Sequence, residues 1–121
     1  MTNQDFENLI EDILSKEAAL RDIKGKEYGD GYDRLLNFKE IANFTGLKEV
    51  DVCFLYLMKH IQSIGLAIKD REYKNKWYWN DTNNNEGLRQ RIADARNYLL
   101  LLAACIEDEL EGRRWITLLK P

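Results

Sequence analysis

The sequence predicts an all-α fold, a compact four-helix bundle forming one helical domain over residues 1–121, and three observations carry that prediction. The chain is 121 residues long and 45% hydrophobic, enough to bury a core without metal or disulfide staples. Its one proline is Pro121, so no internal segment is barred from helix. Apolar residues recur at intervals of three and four along four separate stretches.

The first helix spans Asp5 to Lys24, with Phe6, Leu9, Ile10, Ile13, Leu14, Leu20 and Ile23 as its stripe. Thr2 or Asn3 is its candidate N-cap. Asp5, Glu7 and Glu11 suit the positive end of the helix dipole, and Gly25 is the expected stop. Gly25 to Gly31 holds three glycines in seven residues and reads as a loop, with Asp30 or Asp33 capping the second helix. That helix runs from Tyr32 to Phe44 through Leu35, Leu36, Phe38 and Ile41, and ends at Thr45-Gly46.

The third helix begins at Lys48 or Glu49 and reaches about Asp70. Its main stripe is Val50, Phe54, Leu57, Ile61, Ile64 and Ile68, and a second, on the opposite side, holds Val52, Leu55, Lys59, Ser63 and Leu66. A helix apolar nearly all round is a central one. The fourth runs from Asn85 or Glu86 to Glu111, with Ile92, Ala95, Leu99, Leu102, Ala103, Ile106 and Leu110 on one face and Arg91, Asp94, Tyr98, Leu101 and Cys105 on another. Gly112 is its expected end, and Trp115 to Leu119 forms an apolar tail that must cover a core or a neighbouring subunit. Between these two helices, Arg71 to Asn85 is a long polar and aromatic segment that reads equally as an irregular loop or as one holding a short strand at Trp77 to Trp79.

Composition excludes several function classes. Eighteen basic against 21 acidic residues, a net charge of -3, argue against duplex DNA as a partner. The longest apolar run, Tyr98 to Ile106, has nine residues against the ~20 of a membrane span, so no membrane partner is expected. The first ten residues lack the pattern of a secretory signal, and Cys53 and Cys105 sit in apolar stretches as reduced thiols would, which together point to the cytoplasm. One histidine excludes a His-rich zinc site.

Polarity on the two central helices marks the candidate site, because an unpartnered buried charge costs several kcal/mol. Lys59 lies among apolar neighbours one turn from Ser63, while Arg91, Asp94 and Tyr98 line one side of the fourth helix. The plainer alternative is that Lys59 and Asp94 pair with each other or reach solvent. The glycine loop, Gly29 included, offers backbone N–H groups for phosphate, with Lys26 adding charge, Tyr28 an aromatic platform and Asp30 a hydroxyl or metal contact; it reads equally as an ordinary interhelical turn. His60 reads as a rim or core histidine rather than a base. Lys69 to Lys76, followed by Trp77, Tyr78 and Trp79, can hold phosphates and stack bases, or anchor an oligomer interface.

Lys26-Glu27-Tyr28-Gly29-Asp30, Asn37-Phe38 with Ile41-Ala42, Gly46-Leu47, Asp51-Val52, Lys59, Asp94 and Tyr98 resemble a group of small helical phage and prophage proteins. That group is similar to the MazG-like all-α nucleoside triphosphate pyrophosphatases and to phage nucleotide-modification-associated domains. The resemblance implies nucleotide chemistry, with magnesium held by Glu-x-x-Glu and Glu-x-x-Asp motifs on neighbouring helices. Asp94 matches the aspartate of the second motif, but Arg91 stands where its glutamate would be, and the third helix has no Glu-x-x-Glu and carries Lys59. The expectation is therefore a cofactor-free, homo-oligomeric binder of a nucleotide or cyclic-nucleotide defence signal, with no catalytic residue. Its ligand residues are Lys26, Tyr28, Gly29, Asp30, Asn37, Lys59, Ser63, Arg91, Asp94 and Tyr98. Two alternatives stand beside it: a divergent magnesium-dependent pyrophosphohydrolase using Asp94 with Asp30 or Glu27, and a helical protein-interaction module.

Overall fold

In the computed structural model the backbone is described for residues 1–28, 33–74, 77–80 and 87–119, and the side chains of these apart from 24–28, 72–74 and 113–119. Among the described residues all regular structure is helical: α1 (Asn3–Tyr28), α2 (Leu36–Thr45), α3 (Glu49–Lys74) and α4 (Leu88–Leu119). The chain divides into two units, Met1–Asn37 and Phe38–Pro121.

The first unit is dominated by α1. Thr2 caps it reciprocally, its Oγ1 accepting from the Asp5 N–H and its own N–H donating to Asp5 Oδ2, both at 3.0 Å. The Thr2 backbone N–H and, after it, the Thr2 hydroxyl hydrogen-bond the Asp5 carboxylate and hold it below its ordinary pKa, since both favour the charged form. The helix does not stop at Gly25 but continues to Tyr28. A helical glycine costs about 1 kcal/mol relative to alanine and does not by itself end a helix. The expected loop is thereby shortened, and its residues 29–32 lie outside the described set. Arg34 Nη2 donates to the Arg21 carbonyl oxygen at 2.8 Å. The Asp33 side chain accepts from the Leu35 N–H at 2.9 Å, an Asx turn that delays the start of α2 to Leu36 rather than Tyr32.

In the second unit α2 ends as its sequence predicts. Thr45 Oγ1 donates to the Ile41 carbonyl, and Gly46 takes φ +76° while its N–H bonds Ala42 O at 2.9 Å. That is the left-handed cap for which glycine is the natural residue. α3 and α4 then pack antiparallel: Cys53 meets Cys105, His60 meets Tyr98, and Ser63 meets Arg91, so numbers rise on one helix as they fall on the other.

The seam between them alternates four- and three-residue steps. On α3 it is Cys53, Leu57, His60, Ile64, Ala67 and Arg71, and on α4 Arg91, Ala95, Tyr98, Leu102, Cys105 and Glu109, all buried or half-buried. A 4-3 alternation keeps one line of side chains facing a partner helix. This corrects the expected stripes, which are turned by about one position. Phe54, Ile61 and Ile68 of α3 are exposed, as are Leu99, Ile106 and Leu110 of α4, whereas Val52 and Leu57 are buried. The thiols of Cys53 and Cys105 are fully enclosed. Burial, the neighbouring thiol and the Glu49 charge push Cys105 up to about 12.

One flank of the pair, just before the seam in sequence, receives α2. Phe38 is buried against Tyr56 and Tyr98, with ring centroids at 6.2 and 6.1 Å, and Lys39 pairs with Asp108 at 3.5 Å. The expected apolar tail is not separate, because α4 passes through Gly112 to Leu119.

Candidate functional site

The flank carrying α2 also carries the polar residues that the sequence singles out. Positions one before the seam are Lys59 and Ser63 on α3, with Gln90, Asp94 and Asn97 on α4, and helical geometry puts them on the same side of an antiparallel pair. Asp94 is 4% exposed, a carboxylate removed from water, and Gln90 Nε2 donates to its Oδ1 at 3.2 Å. A buried carboxylate persists only where donors surround it. Arg91 is half-buried and its Nη1 donates to the Ser63 carbonyl oxygen at 3.3 Å, tying the two helices together at this level.

Aromatic rings close the site toward α2. Tyr56 stacks on Tyr98 at 6.0 Å and 22°, and His60 lies 4.7 Å from the Tyr98 ring. Tyr98 is thus the hub of four rings, counting Phe38. Arg91, Asp94 and Tyr98 fall on successive turns of α4, with Ser63 and His60 opposite, so the structure gathers Ser63, Arg91, Asp94 and Tyr98. Lys59 is exposed, as are Leu55 and Leu66 of its predicted stripe, whereas Val52 of that stripe is buried. Asn37 is half-buried in the first turn of α2. Lys26 and Tyr28 lie on the last turn of α1, with side chains outside the described residues; Gly29 and Asp30 lie outside them altogether.

Gln90 and Tyr56 are site residues that sequence reading passed over. The signals were present: Gln90 precedes Asp94 by four residues and Tyr56 precedes His60 by four, one helical turn in each case. Of the acids that the family resemblance implies around magnesium, Asp94 is among the described side chains, while Glu27 and Asp30 lie outside them. At the position of the second acid stands the Arg91 guanidinium, a cation already engaged with a carbonyl, and among the described residues no cluster of three His, Cys, Asp or Glu could hold a metal ion.

A concavity lies on the opposite flank, at the end of the pair where α3 finishes and α4 starts. It encloses about 480 Å³ and is lined by Ile64, Ile68, Trp77, Trp79, Leu88 and Ile92. The Trp77 to Trp79 segment is irregular, not a strand, and its backbone caps α4: Leu88 N–H donates to Tyr78 O at 2.8 Å and Arg89 N–H to Trp79 O at 3.0 Å. The Arg71 guanidinium stacks 4.9 Å from the Trp77 ring. Among the described residues no helix is long and apolar enough to cross a membrane.

No family model matches the chain, and neither the curated proteins nor the solved structures include a match to it.

Proposed function

We propose that the protein binds a nucleotide or cyclic nucleotide without cleaving it, as a homo-oligomer of a cytoplasmic, phage-type helical family. The observation that carries this reading is the buried Asp94 carboxylate, which lies along α4 between Arg91 and Tyr98, the hub of the ring cluster. A nucleotide needs three things from a binding site: a flat apolar face for the base, an acceptor for its ring and exocyclic N–H groups, and cationic charge for phosphate. Tyr98 with His60 supplies the first and Asp94 the second. Arg91, with Lys59 at the open edge, supplies the third.

Charge favours capture over hydrolysis. The MazG-like resemblance implies a nest of acids around magnesium, and here a guanidinium replaces one of them, so phosphate can be held directly and no water is activated. In a phage setting, such capture fits sequestration of a host defence signal.

Thermal shift and calorimetry of the full chain against linear and cyclic mono-, di- and triphosphates test this. Binding of at least one nucleotide, recovered intact after denaturation, and a loss of ~100-fold or more in affinity in Asp94→Ala and Arg91→Ala are expected. Silence across the panel overturns the proposal. Pyrophosphate release that Asp94→Ala abolishes would replace it with the hydrolase reading.

A further inference from the structure

The α3–α4 pair has a second flank, one position after the seam, and it is bare. On α3 it carries Phe54, Met58, Ile61, Gly65 and Ile68, all exposed. On α4 it carries Leu99, Ala103, Ile106 and Leu110, also exposed, with Ile92 half-buried at the cavity. In an antiparallel pair the residues one step past the seam on both helices point to the same side, because reversing a right-handed helix reverses its apparent sense of rotation. The cavity bears this out, since Ile68 and Ile92 line it together.

We infer that this flank is the interface through which two copies of the chain associate, face against like face. The inference rests on the proposed self-association and assigns it a surface. Area argues for it first. Seven large apolar side chains there are each about half exposed, Ile61 at 46% and Leu99 at 52%, and Trp77 extends the patch at one end. Together they leave on the order of 700 Å² of apolar surface in water, above the ~300–600 Å² of a typical largest patch and close to the ~800 Å² each partner buries in a stable complex.

Charge suits a second copy. Of the twelve positions in this register two are charged, Glu72 and Arg96, one of each sign, so the flank carries no net charge to repel its own image. Relief argues the same way. Gly65, with open space around its Cβ position, and Ala103 are shallow places among larger side chains, where a facing copy's side chains can seat. Two helices share one line of contact, and doubling the pair converts that line into the closed core of a four-helix bundle.

Sedimentation of the full chain between about 5 and 100 µM tests the assignment. A dimer of twice the 14.3 kDa chain mass is expected, with Ile61→Asp and Leu99→Asp each weakening it by ~100-fold or more while circular dichroism stays helical. Leu55→Asp, exposed but off this flank, should leave the dimer intact. If either aspartate variant loses helix, Ile61→Gln and Leu99→Gln decide with the same expected dissociation. A wild-type monomer throughout overturns both the interface and the self-association beneath it; a dimer indifferent to all of these changes overturns the interface alone.

Discussion

Cys105 shows how far one atom's surroundings can be turned into a measurable property. Its thiol is fully buried beside Cys53, and Glu49 adds negative charge, so the folded protein disfavours the thiolate. The folded pKa is raised from 9.0 to about 12, hence the thiol's contribution to stability is complete below pH 9 and is lost as pH climbs toward 12, where the unfolded chain ionises first. Urea unfolding should therefore show stability falling between pH 9 and 11 with a gentler slope in Cys105→Ala; equal slopes would mean the thiol does not titrate as its burial requires. Asp5 works with the opposite sign, since its lowered pKa gives a contribution present above the usual carboxylate range and lost in acid. The sequence made both thiols legible as buried and reduced from their apolar neighbours. It did not make legible that they oppose each other, because that depends on the register of α3 against α4.

At the scale of elements, each helix's existence was readable and its rotation was not. α3 is apolar on most of its circumference, so periodicity fits two stripes equally well, and only the partner helix decides that Cys53, Leu57 and Ile64 face inward while Phe54 and Ile61 do not. Gly25 and Gly112 misled for a related reason: glycine ends a helix when a left-handed residue is needed there, as at Gly46, and is otherwise carried along at modest cost. Gly87 is different again. A Cβ there would come within 2.5 Å of the Trp79 carbonyl oxygen, and the neighbouring backbone of Asn80 is as close. Gly87→Ala should displace the segment that caps α4 and cost about 1–3 kcal/mol, the range of an over-packed contact. Faster amide exchange at Leu88 and Arg89, whose N–H groups bond Tyr78 and Trp79, is the local readout; unchanged exchange would show that the segment yields without letting go.

For the whole molecule, the candidate site was legible in its chemistry and only partly in its membership. Arg91, Asp94 and Tyr98 could be grouped from spacing alone because one helix carries them all. Lys59 could not be placed, since whether a lysine on a mostly apolar helix is covered depends on everything laid over it. The flank past the seam has a consequence for the energetics of the chain as a whole. Where two copies cover that side, as inferred above, part of the pair's stability comes from the contact, and folding and association share one equilibrium. The melting temperature is then not a constant of the sequence but a function of how much protein is present. Scanning calorimetry over a hundredfold range of concentration should find Tm rising with concentration in the wild type and flat in Ile61→Asp; a flat wild-type series would mean each chain is stable without a second one.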